Sequence, residues 1–229
     1  MRDAAIRCEG IRKHYGQGET KIEALKGIDL EIYSGELTLL VGPSGSGKST
    51  LLSIITTLLT PDAGKLFLLG TEVNRLSEVE RAKFCRENLG IVFQSLFLIP
   101  TLSLVENVSV PLLVAGKPLK EAEDRAMEML DKVHLSARAQ LSPSQLSKGQ
   151  QQKVAIARAM INDSKIIVFD EPTSALDQVS GQEVMTYLQD LAKDQTRSIL
   201  VVTHDHRIFS FANRMIEIND GELKEASNE

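Results

Sequence analysis

Gly42, Pro43, Ser44, Gly45, Ser46, Gly47, Lys48, Ser49 and Thr50 fit the spacing G-x-x-x-x-G-K-[ST], a pattern able to hold a polyphosphate. Glycines at 42, 45 and 47 let the backbone curl so that successive N–H groups point inward at phosphate oxygens. The positive end of a following helix favours the same anion. Lys48 is placed to reach the β- and γ-phosphates, and Ser49 to offer a hydroxyl to Mg²⁺. About 120 residues on, the apolar run Ile166 to Phe169 ends in two carboxylates, Asp170 and Glu171. Asp170 suits the metal shell, and Glu171 suits polarising an attacking water. An apolar run ending in Asp-Glu is common by itself. Its weight comes from the loop upstream, which needs such a partner.

These groups need a scaffold. Leu37 to Val41, Ile166 to Phe169 and Ile199 to Val202 are continuously apolar, as parallel strands covered on both faces must be. Leu51, Leu52, Ile54, Ile55, Leu58 and Leu59 then repeat at helical spacing, as do Val184, Leu188 and Leu191. The pattern predicts an α/β core with its ligand at the carboxyl ends of the strands. Ile28 to Ile32 alternates with the period of a half-buried strand, and with Lys65 to Leu69 suggests an N-terminal antiparallel β lobe. Between Gln94 and Met160 no strand pattern appears. Ala122, Ala126, Met129, Leu130 and Val133 mark a helix there, with Glu121 and Arg125, and Glu128 and Lys132, spaced to pair on its exposed side. One domain over 1–229 follows, with lobe and core in 1–93 and 162–229 and an inserted helical lobe in 94–161. Asn219-Asp220-Gly221 reads as a hairpin turn, and Ala226 to Glu229 as a frayed tail.

Composition narrows the partners. A net charge of −5 argues against a general nucleic-acid binder. Cys8 and Cys85 match no metal-ligand spacing and read as reduced thiols. The opening MRDAAIRCEG lacks the apolar stretch of a signal peptide, and no run approaches the ~18 apolar residues of a membrane span.

Leu146 to Ala159, LSKGQQQKVAIARA, closely resembles the signature sequence and helix of the ABC ATPases, just upstream of the Asp-Glu run. Ser147 and Gln150 also have capping-box spacing, which predicts a helix N-terminus whose free N–H groups suit a phosphate. The resemblance covers essentially the whole chain and implies a P-loop NTPase (RecA-like) fold of ABC ATPase type. It implies that Tyr15 stacks on adenine and that Gln94 joins core to helical lobe and senses Mg²⁺ and water. It implies that Ser174, Ala175, Leu176 and Asp177 cross a dimer interface and that His204 contacts the γ-phosphate. Lys48, Glu171 and His204 would then be catalytic, and Ser49, Gln94 and Asp170 would hold Mg²⁺. Ser147, Lys148, Gly149 and Gln150 would face ATP held by the opposite subunit, so that a homodimer forms around two Mg-ATP. Lys148 departs from the pattern, standing where the family usually has the first of two glycines.

YGQGETKIEALKGIDLEI, GIVFQSLFLIPTLSLVENV and LSKGQQQKVAIARA are similar to the bacterial subgroup serving lipoprotein release, macrolide export and heterocyst glycolipid export. That resemblance implies an ATPase on the inner face of the cell membrane, docked through integral membrane subunits and in some systems a periplasmic adaptor. Its cargo would be a lipid, lipoprotein, peptide or drug-like molecule. The apolar segment after Gln94 suits a helix of the membrane partner. The alternatives are a non-transport ABC ATPase and a regulatory module without turnover. The single cassette without sustained heptads, and the presence of Asp170, Glu171 and His204, weigh against them.

Overall fold

A computed structural model of the protein describes residues 4–224. The chain runs β1 (Ala4–Tyr15), β2 (Ile22–Tyr33), β3 (Leu37–Val41), α1 (Lys48–Ile55), β4 (Ala63–Leu68), β5 (Thr71–Glu72), α2 (Glu78–Asn88) and β6 (Leu89–Val92). It continues through α3 (Leu104–Val114), α4 (Leu119–Lys132), α5 (Lys148–Met160), β7 (Ile166–Asp170), α6 (Gln178–Ala192), β8 (Ser198–Val202), β9 (Arg214–Asn219) and β10 (Glu222–Lys224). The tail from Ala226, expected to fray, lies outside the described residues.

Two sheets form. One is antiparallel, in the order β2-β1-β4-β5, and the other runs β10-β9-β3-β8-β7-β6. Within the second, β9, β3, β8, β7 and β6 are parallel and only β10 turns back. The continuously apolar strands are apolar because both faces are covered. Leu40, Ile166, Val168, Leu200 and Val202 face α1 and the antiparallel sheet. Their alternates Leu39, Ile167, Phe169, Ile199 and Val201 face α3, α4, α5 and α6. A period of two thus serves two separate cores. Among the described residues no helix is long and apolar enough to cross a membrane.

Some local expectations need correction. Leu58 and Leu59 continue the helical spacing, yet α1 ends at Ile55, Thr57 turns left-handed (φ 61°), and Leu58 is exposed. On α4 the pairs Glu121–Arg125 and Glu128–Lys132 do not form. Lys117 takes Glu121 at 2.8 Å, and Arg125 bridges Glu128 at 2.6 Å and Asp163 at 2.8 Å. Arg125 gains more from two carboxylates on two segments than from one on its own helix. Strand β4 ends at Leu68, because Leu69 turns left-handed (φ 48°). The Asp220-Gly221 turn has positive φ at both residues (50° and 76°), matching the twist of the β9–β10 hairpin. Both cysteines are free; burial, reinforced by Asp29, pushes the Cys8 thiol up to about 12, leaving it inert.

Candidate functional site

Four neighbouring parallel strands, β3, β8, β7 and β6, end on the same side of the sheet. Their carboxyl ends carry the phosphate-type loop, His204, the Asp170-Glu171 pair and Gln94, in that spatial order. Because β8 lies between β3 and β7, His204 is set between the loop and the carboxylates. A cleft of ≈ 910 Å³ opens there, lined among others by Gly42 to Gly45, Gly47 to Thr50, Gln94, Asp170, Glu171 and His204. Its size is right for a nucleotide, and it lies where open α/β sheets take ligands.

The loop is set from behind. Gly47 precedes α1 with φ 106°, and a Cβ there would lie 2.7 Å from the carbonyl oxygen of Ala24. A Cβ on Gly42 would lie 2.1 Å from the Ile218 carbonyl oxygen, so neither position admits a side chain. The β9–β10 hairpin closes the support, with Gly221 N donating to Ser46 O at 2.9 Å. Lys48 Nζ folds back and donates to the carbonyls of Gly42 at 2.7 Å and Pro43 at 2.8 Å. Burial lowers its pKa, while the charges of Glu171 and Asp170 oppose that shift. Ser46 Oγ is buried with no partner among the described residues. Pro43, Ser44, Gly45 and Ser49 are exposed and Thr50 half-buried.

Glu171 takes a left-handed backbone (φ 50°) just past β7, while its N–H donates to Val202 O at 2.8 Å. That geometry turns its carboxylate toward β8. Oε2 accepts from Thr203 Oγ1 at 3.1 Å, and Oε1 lies 2.5 Å from His204 Nδ1. The Glu171 side chain is 11% exposed and the His204 ring 68% exposed. Burial, followed by the charge of Glu171, raises the Asp170 pKa, and Lys48 opposes this. Two close, partly desolvated carboxylates beside one lysine create an electrostatic need for a further cation. The hydroxyl of Ser49, the amide oxygen of Gln94 and the Asp170 carboxylate are hard donors of the kind Mg²⁺ prefers. Among the described residues no cluster of three His, Cys, Asp or Glu forms a metal site. Such a donor set fits an ion that takes its remaining ligands from phosphate and water.

The other candidates fall around this cleft at different distances. Gln94 is exposed, its Nε2 3.4 Å from Ser174 Oγ. Tyr15 ends β1, 46% exposed, with its hydroxyl 3.4 Å from Thr50 Oγ1 at the start of α1. Ser174 and Ala175 are exposed, Leu176 packs on the helical core, and Asp177 caps α6 by accepting from Ser180 N at 3.0 Å. Ser147 caps α5 with a reciprocal box. Its Oγ accepts from Gln150 N at 3.3 Å, and Gln150 Oε1 accepts from Ser147 N at 3.2 Å. Lys148 is the first residue of that helix and is exposed, while Gly149 approaches Ser180, whose Oγ would lie 3.3 Å from an added Cβ. None of Ser147, Lys148, Gly149 and Gln150 lines this cleft, although Lys148 borders an adjoining cavity of ≈ 500 Å³ that shares Gln94 and Glu171 with it.

Sequence reading missed the frame around the carboxylates. Thr203 donates to Glu171 Oε2 at 3.1 Å. Asp205 accepts from Thr173 Oγ1 at 2.8 Å and from Arg207 Nη2 at 2.8 Å. Together they tie the residues after β7 to those after β8. The run Thr203 to Arg207 offered a signal, since Asp followed two residues later by Arg at a strand end is a local pairing motif.

A family profile described as ABC transporter matches residues 25–174. The macrolide export ATP-binding/permease protein MacB of Wolinella succinogenes is 44% identical over 223 residues, covering 97% of this chain and 34% of that protein. The pyoverdine export ATP-binding/permease protein PvdT of Pseudomonas syringae pv. tomato is 47% identical over 222 residues, covering 96% of this chain and 34% of that protein. The chain therefore spans about a third of the length of these curated relatives. The dimeric structure of MJ0796, a bacterial ABC transporter cassette, aligns with a TM-score of 0.86 at 41% identity, covering 96% of each chain. A post-hydrolysis dimer of the same cassette bound to ADP and Pi aligns with a TM-score of 0.86 at 40% identity, again covering 96% of each chain. With the profile matching well over half of its length, this chain belongs to the ABC transporter family and is an ATPase cassette of that family.

Proposed function

We propose that two copies of this chain close around two Mg-ATP, hydrolyse them, and thereby drive integral membrane permease subunits of an export system. The observation that carries this reading is the incompleteness of the cleft. It gathers the phosphate loop, Asp170, Glu171 and His204, while the capped start of α5 stands outside it, with Ser147 and Lys148 exposed. A second copy supplies the missing wall.

In this reading Tyr15 stacks on adenine, and the loop's N–H groups with Lys48 bind the phosphates. Ser49, Asp170 and Gln94 would hold Mg²⁺, which would neutralise phosphate charge when bound. Lys48 leaves its loop carbonyls for phosphate oxygens. Glu171, with its carboxylate already aimed by Thr203 and His204, takes the proton of the attacking water. His204 donates a hydrogen bond toward the γ-phosphate and stabilises charge as it develops. Ser147 and Gly149 of the opposite copy complete the phosphate cage, and Ser174 to Asp177 cross between copies. Lys148 projects to solvent and is tolerated, because the first helical turn has room for a side chain.

Relatives named for macrolide and pyoverdine export support an export role; we extend this to a lipid, lipoprotein, peptide or drug-like cargo, with a periplasmic adaptor in the assembly. The cassette then sits on the cytoplasmic face of the membrane, held by its permease. Phe97 and Ile99 expose apolar surface beside Gln94, where a permease helix can dock. Co-expression with a permease of this family tests the assembly. The cassette is expected in the membrane fraction with it; a cassette that stays in the soluble fraction contradicts the reading.

A further inference from the structure

Two polar side chains hold the backbone of the loop that follows β6. Asn107, fully buried on α3, accepts from Ile99 N at 2.7 Å. Its amide nitrogen donates to the carbonyls of Ile99, Leu102 and Ser103. Arg158, near the C-terminal end of α5, donates from Nη1 to Phe97 O at 2.7 Å and from Nη2 to Leu96 O at 2.5 Å. The same loop is therefore fastened to two helices.

The Arg158 anchor is chemically unusual. Burial lowers the guanidinium's pKa, and no carboxylate among the described residues offsets it. A partly desolvated charge given wholly to two main-chain carbonyls is costly unless it orders something. What it orders is Phe97. That residue has a left-handed backbone (φ 48°), uncommon for an aromatic, and is 67% exposed. The ring rests edge-on against Phe93, with centroids 5.6 Å apart, and is thus presented outward in a fixed pose. Eleven residues before Arg158, the same helix begins at the Ser147 cap, about 16 Å away at the usual helical rise.

We infer that Arg158 is a positioning residue that joins the 96–99 loop to α5, so that movement at the Ser147 end of the helix is read at Phe97. The inference rests on the reading above, in which Ser147 meets the opposite nucleotide and the loop receives the permease. Asn107 keeps the loop folded on α3; Arg158 makes it follow α5. The two roles are separable, since loss of Arg158 uncouples the loop without unfolding it.

Backbone hydrogen exchange on the full chain carrying Glu171→Gln, with and without Mg-ATP, tests this. In that parent, Mg-ATP is expected to slow exchange about tenfold or more both at 147–151 and at 96–103. Adding Arg158→Gln should keep the response at 147–151 and abolish it at 96–103. Arg158→Lys keeps charge and stem but lacks the fork, so it should show the same loss, and it decides the matter if the glutamine variant does not fold. A nucleotide response at 96–103 that persists in the lysine variant overturns the inference, as does no response there in the parent. Failure of the sandwich reading is seen separately, as a parent whose light-scattering mass stays monomeric in Mg-ATP.

Discussion

Glu171 is held by two donors just past β8, Thr203 and His204, and takes a left-handed backbone. If it is the base, Glu171→Gln keeps nucleotide binding but lowers steady-state ATP turnover by about 10²-fold or more. Release of phosphate at the wild-type rate contradicts the assignment. Asp205 belongs to the frame. The Arg207 side chain, then Thr173 and the Arg207 N–H, bring its pKa down from 3.8 to about 2. A depressed folded pKa gives stability that is complete above 3.8 and fades as pH falls toward 2. The melting-temperature gap between wild type and Asp205→Asn should hold constant above that range and narrow below it. A gap that widens on acidification contradicts the pairing. Lys148→Gly tests the departure from the family pattern, with ATPase activity in the assembled complex expected within about twofold of wild type for an exposed first-turn side chain. A marked gain would mean that Lys148 restrains the site.

At the scale of elements, helix starts were legible and helix stops less so. Ser147 and Gln150 announced the start of α5 because a capping box is a local, reciprocal bond pair. Ser147→Ala should cost about 1 kcal/mol in urea unfolding, and should weaken ATP-driven pairing far more than ATP binding. Equal loss of both would mean that the cap only supports the fold. The end of α1 was not legible, since the apolar spacing continues through Leu59 while Thr57 breaks the helix with a backbone turn that its side-chain type does not signal. Likewise the partners of Arg125 depend on Asp163, brought near only by tertiary packing. The strands were legible where both faces are buried, as in β3, β7 and β8. The edge strand β6 was not, because Leu89-Gly-Ile-Val is short and its glycine is set by the close approach of Ala159 O, 2.3 Å from an added Cβ.

The order of the strands, which no local pattern encodes, is what turns separate motifs into one site. Placing β8 between β3 and β7 sets His204 against Glu171 and brings Lys48 within the field of both carboxylates. The motifs named these residues, but only the sheet explains why they meet. It also leaves the Ser147 cap outside the cleft; if that cap completes a partner's site, as proposed above, the molecule carries one half of a site on each of two surfaces. Nucleotide should therefore control assembly. The most direct test is the mass of the Glu171→Gln chain in solution by light scattering, with and without Mg-ATP. The account predicts a dimer with Mg-ATP and a monomer without it, or with Mg-ADP; a chain that stays monomeric while saturated with Mg-ATP would contradict it.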